Sequence, residues 1–105
     1  MDKPDYKEAL LKRLQETVTG LLTVRETSLP EKDRAYLVLH MLRTVLSVKL
    51  FLDGIVSEEK LQECLKQVGH IDDLRKASKG VAISIEDRIF SDIVEKIEAL
   101  IHDLQ

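Results

Sequence analysis

Tyr36, His40, Arg43 and Ser47 follow one another at intervals of four, three and four residues. On a helix that spacing places all four on one stripe, with Thr44 beside them. Their chemistry suits an anion: Arg43 carries a planar charged fork, and His40 and Ser47 carry donors. The same stripe also serves as the water-facing side of an otherwise apolar helix. A second group, Arg75, Lys76 and Lys79, is the one compact basic cluster of the sequence. It could hold a phosphate-bearing ligand, or balance the carbonyls at a helix end. Glu95, Glu98 and His102 share the outer face of a last helix. A structural zinc or di-iron site needs more ligands than these at fixed spacing, so neither a metal nor a cofactor is expected. The face reads as salt-bridged surface. Cys64 is the only cysteine, which rules out a disulfide within the chain and fits a reducing compartment. It falls on an apolar stripe and reads as a small buried hydrophobe. His70 follows an expected helix end and reads as a cap. No glycine-rich phosphate loop occurs.

Two short segments bear a resemblance to known families. Arg34 and His40 bracket the segment RAYLVLH, which resembles the Arg-x(4–6)-His spacing of HEPN-type ribonucleases, themselves small helical bundles. The resemblance implies metal-independent RNA cleavage, with Arg34 on phosphate and His40 as the acid/base. The six-residue offset is about 240° on a helical wheel, so the pair does not share a face. The run Ala77-Ser78-Lys79-Gly80-Val81-Ala82 resembles a segment of histidine phosphotransfer domains, which are four-helix bundles. The phosphorylated histidine of that segment is missing here, and Ser78 does not replace it.

The elements that would position these residues are helical. With 105 residues, 44% apolar and 33% charged, the chain is expected to form one soluble domain over residues 1–105. Aromatic residues make up only 4%, so the core must be built from Leu, Ile and Val. Residues 5–27 read as a first helix with Leu10, Leu14, Val18 and Leu21 inward. Gly20 inside it marks a close crossing or a weak point. Ser28 with Glu31 reads as a capping box opening a second helix, with Pro30 in its first turn and Gly54 as its left-handed stop. Ser57 caps a third helix, which runs or breaks at Gly69 before a stop at Gly80. Ser84 with Asp87 resembles another capping box, opening a last helix over 85–104 with Ile89, Ile93 and Ile97 inward. Only Val81–Ile85 alternates as a strand would. The reading is an all-α, single-domain bundle of four helices, or five if the third breaks, around a highly apolar second helix.

That second helix sets the functional expectation. Its apolar positions fill an arc about twice the 100° that a surface helix needs. It therefore has neighbours on two sides, and some apolar surface is expected to remain for a second copy. The expected interface is Leu37, Met41, Val45, Val48 and Leu52, in a symmetric dimer. The net charge of −3, with both signs interleaved, argues against a nucleic-acid partner. There is no polybasic run for a membrane surface and no signal-peptide pattern at the N-terminus. Charges interrupt the apolar stretch before the length of a membrane span, and a cytoplasmic protein without a membrane partner is expected. The sequence thus predicts a non-enzymatic interaction or assembly module that also takes a larger protein partner. The alternatives are the Arg34/His40 ribonuclease and a phosphate- or nucleic-acid-associated factor using Arg75, Lys76 and Lys79.

Overall fold

The computed structural model describes residues 6–105, which form five α-helices joined by short connections. These are α1 (Tyr6–Glu26), α2 (Glu31–Leu52), α3 (Glu58–Val68), α4 (Ile71–Ser78) and α5 (Asp87–Leu104). The all-α architecture is as expected, and the third helix does break. No strand occurs among the described residues, and 81–85 is an extended connection that buries Ile85. The bundle measures 53 × 27 × 18 Å.

Helix α2 is the hub. It packs against α1 on one side and against α4 and α3 on the other, while α5 lies mainly along α1. Its inner positions Ala35, Val38, Leu42, Val45 and Leu46 are all but fully enclosed. They meet Leu14 and Leu21 of α1, Leu74 of α4, and Phe90, Ile93 and Ile97 of α5 in one continuous core. By length and hydropathy α2 would also suffice to cross a membrane, a measure that core helices of globular proteins meet too.

Two glycines act as the sequence suggests. Gly54 adopts φ 81°, and Ile55 N–H donates to the Leu50 carbonyl at 2.8 Å, closing α2 with a left-handed turn. Gly20 lies where α1 crosses α2, and a Cβ there would come within 2.7 Å of Met41 Sδ. The glycine's cost to helix propensity is therefore offset by a closer approach of the two backbones. The break between α3 and α4 uses Gly69 at φ 92° followed by His70 at φ 62°, the one described non-glycine residue in the left-handed region.

Only one of the three anticipated caps forms. Ser57 Oγ accepts from Lys60 N–H at 3.2 Å. At α2 the cap position is Pro30, with no side-chain cap, so the Ser28/Glu31 box is absent. Glu31 turns instead to Arg34 and to the Ile85 N–H. At α5 the cap position is Glu86, again without a side-chain bond, so Ser84 does not cap and the helix opens two residues later than expected.

Two stability outcomes follow. Ile93 is fully buried, so Ile93→Asp is expected to abolish the cooperative thermal transition, because the carboxylate finds no partner; a melt near that of the wild type would refute this placement. At Gly20, Ala gains about 1 kcal/mol of helix propensity against a small shift of the flexible Met41 end. Leu is expected to cost about 1–3 kcal/mol by overpacking the crossing. Denaturant midpoints that rank Leu with Ala would show that the helices do not approach closely there.

Candidate functional site

The stripe named by its chemistry is the solvent face of α2. Tyr36, His40, Arg43 and Thr44 are exposed, Ser47 is half-buried, and Phe51 continues the same line. This arc, about 100° wide, is left open because α1 covers one flank of α2 and α3 with α4 cover the other. The Tyr36 and His40 rings stack with centroids 6.3 Å apart and planes 10° apart. Arg43 reaches across to α3, where its guanidinium meets both carboxylate oxygens of Glu58 at 2.8 Å. Gln62 donates to the same carboxylate at 3.0 Å and accepts from Arg75 of α4. A surface ladder Arg43–Glu58–Gln62–Arg75 thus ties α2 to α3 and α4.

These bonds have electrostatic consequences. The bidentate bond from Arg43, helped by the amide of Gln62, holds the Glu58 carboxyl below the usual carboxylate range. The Arg43 guanidinium is correspondingly raised by its bond to Glu58 and by that residue's charge. Arg43 is therefore already satisfied by an internal anion. The structure brings Tyr36, His40 and Arg43 into one line, but not around a cavity.

Arg34 lies elsewhere. Its side chain is only 11% exposed and points into the bundle. The guanidinium donates to the Arg25 carbonyl at 3.0 Å, to the Val24 carbonyl at 3.4 Å and to Glu31 at 2.6 Å. It also lies 5.1 Å from the centre of the Phe90 ring. Arg34 thereby caps the C-terminal carbonyls of α1, while the other oxygen of Glu31 accepts from Ile85 N–H at 2.5 Å. Four elements meet at this pair. Arg34 and His40 are not brought together, in keeping with their wheel positions.

The remaining candidates are dispersed. Arg75 is engaged by Gln62, which leaves Lys76 and Lys79 exposed. His70 does not cap α3; its Nε2 lies 2.8 Å from Asp92 Oδ2 of α5, joining the α3–α4 break to the last helix. Glu95, Glu98 and His102 are exposed, and among the described residues no three His, Cys, Asp or Glu side chains gather as metal ligands. Cys64 is half-buried, not enclosed, and lines a shallow groove with Leu46, Val68 and Leu100, flanked by Lys49 and Lys96.

The residues of the expected dimer interface lie against the chain's own core. Leu37, Met41, Val45, Val48 and Leu52 lie on the flank of α2 where Met41 meets Gly20 of α1. Val45 is 2% exposed and enclosed by its own chain, and the other four are half-buried against the core. Exposed large apolar residues also occur at Tyr6, Leu22, Leu29 and Val81, but those of α2 and the connection after it lie together, about a quarter of a turn or more from the centre of that flank. Tyr36 (62%) and Phe51 (66%) sit on the open face, and Ile55 and Val56 (88%) follow in the α2–α3 connection. Sequence reasoning passed over Phe51 and Val56, although Phe51 lies four residues beyond Ser47 and so belongs to the stripe already identified. Ser47, Leu50, Phe51, Ile55, Val56 and Leu61 line a concavity of about 300 Å³ at this corner.

No protein-family profile matches the chain, and comparison with curated proteins and with solved structures gives no significant match. The fold and its surfaces are thus the whole basis for a functional reading.

Two outcomes test the geometry. Arg34→Ala is expected to cost about 2–3 kcal/mol in urea unfolding, since it strips bonds from two helix-end carbonyls and from Glu31. Arg34→Lys should fail to restore this, because an ammonium lacks the planar fork; full stability in Arg34→Ala would show that the cap contributes nothing. For Glu58, a carboxyl NMR titration should place its midpoint below the ordinary glutamate value, and Arg43→Ala should raise it. The sign follows from linkage: a depressed carboxyl contributes stability at neutral pH and loses it as pH falls through its folded value. A Glu58 midpoint unchanged by Arg43→Ala would show the pair to be absent in solution.

Proposed function

We propose that this protein is a small non-enzymatic helical interaction and assembly module that self-associates through α2. The observation that carries this reading is the alignment, on one face of α2, of the two most exposed aromatic residues among those described, with Val56, the most exposed large aliphatic one, just past the helix end. Along α2 every aliphatic side chain is buried or half-buried by the chain itself, while the two aromatic ones stand about two-thirds exposed on one face. Two such side chains, extended by Ile55 and Val56, make a local patch of the kind that marks interaction sites.

Chemistry at this face has less support. His40 stacks on Tyr36, Arg43 is held by Glu58, and Arg34 is committed inside the bundle. Phosphate binding near α4 would rest on Lys76 and Lys79, with Arg75 already bonded to Gln62.

Sedimentation velocity from about 10 µM to about 1 mM, the range of weak standard-size interfaces, tests the reading. A mass that rises with concentration is expected, and Phe51→Ser should suppress the rise. A single monomeric species throughout would overturn self-association. Incubation with mixed RNA provides the enzymatic control: cleavage lost in His40→Ala would replace this reading with the ribonuclease one.

A further inference from the structure

The open face of α2 is spaced as a palindrome. Tyr36, His40, Arg43, Thr44, Ser47 and Phe51 have the same spacing in either direction about a point between Arg43 and Thr44. If two copies of α2 lie antiparallel across a two-fold axis at that point, Tyr36 of one faces Phe51 of the other. His40 then faces Ser47 near the midline of the stripe, and the two copies of Arg43 lie on the same side of the axis. The stripe spans fifteen residue steps, roughly 23 Å at helical rise, with its aromatic rings at both ends and its polar groups at the axis.

We propose, building on the self-association reading, that a second copy of this chain packs antiparallel on the exposed stripe of α2, with Tyr36 of each copy seated on Phe51 and the Ile55/Val56 corner of its partner. Three observations support this occupant. An isologous contact requires a patch that complements itself under a two-fold rotation, and the palindrome supplies one. The concavity of about 300 Å³ beside Phe51 lies at the position that the partner's Tyr36 reaches. The cation nearest the axis, Arg43, is neutralised by Glu58 of its own chain, which lowers the repulsion between two copies of it. The area also sets the strength. An aromatic side chain carries about 150–250 Å², so the two-thirds-exposed rings with Ile55 and Val56 supply several hundred Å² of apolar surface per copy. A standard stable interface takes about 800 Å² per partner. The polar middle of the stripe must provide the balance, and the dimer is accordingly weak, micromolar or weaker.

A charge exchange tests the geometry. Tyr36→Lys and Phe51→Glu are each expected to weaken dimerisation at least tenfold in sedimentation equilibrium. Combined in one chain they should restore at least threefold over either alone at low salt, with the rescue lost at high salt. Within one chain these positions lie some 23 Å apart on the same helix, so the rescue must come from the introduced lysine of one copy meeting the introduced glutamate of the other. Both sites are exposed, and unchanged thermal midpoints would verify folding. A second readout avoids surface charge: with Cys64→Ser, the pair His40→Cys and Ser47→Cys should oxidise to a covalent dimer. If the wild type dimerises but neither the salt-sensitive rescue nor the covalent dimer is seen, the antiparallel arrangement is overturned and self-association stands. A wild type that stays monomeric overturns both.

Discussion

The fold depends on one constraint: α2 carries more apolar surface than a single neighbour can remove from water. A helix that needs only one covering partner shows a stripe a little over 100° wide. Here the buried and half-buried positions run through roughly two-thirds of the circumference, from Leu37 round to Leu50. Each buried aliphatic side chain contributes about 1.5–3 kcal/mol, so leaving either flank bare would be costly on the scale of domain stability. The chain answers with α1 on one flank and with α3 and α4 on the other. It then adds α5 along α1 to finish the core. The break at Gly69–His70 belongs to the same solution, because one straight helix over 58–78 could not present both Leu65 and Leu74 to α2 as it turns.

Polar bonds fix the order of these helices where apolar packing alone would leave it loose. Arg34 and Glu31 join the end of α1, the start of α2, the Phe90 ring of α5 and the connection at Ile85. The His70–Asp92 contact ties the α3–α4 break to α5, and the Arg43–Glu58–Gln62–Arg75 ladder runs across the surface of α2, α3 and α4. Among the described residues no buried side-chain nitrogen or oxygen is left without a partner. The satisfied set favours one arrangement of the five helices over alternatives with similar apolar burial.

Local pattern carried much of this. Helical periodicity, the width of the apolar arc on α2, the Ser57 cap and the stop at Gly54 depend on residues within a turn or two of each other, and all are readable in the chain. The stripe of Tyr36, His40, Arg43 and Ser47 was legible as the polar face for the same reason. What depended on distant partners was not. The Ser28/Glu31 pattern looks like a capping box, yet Glu31 is drawn to Ile85, 54 residues away, and a short-range rule has no access to that competition. His70 and Asp92 are 22 residues apart. What covers Leu37, Met41, Val45, Val48 and Leu52 within the chain was equally out of reach of local pattern. Periodicity shows how wide an apolar face is, but the flank that α1 takes follows from Gly20 meeting Met41, a contact made only in three dimensions.

The central claim is that the chain itself encloses the apolar flanks of α2 and leaves only the Tyr36–Phe51 stripe open. NMR on a dilute sample, below the onset of any association, addresses it directly. A nuclear Overhauser contact is predicted between the Gly20 α-protons and the Met41 methyl group, with Val45 and Met41 shielded from a soluble paramagnetic agent while the Tyr36 and Phe51 rings broaden. Absence of the Gly20–Met41 contact, with Val45 and Met41 broadening as fast as Phe51, would contradict it.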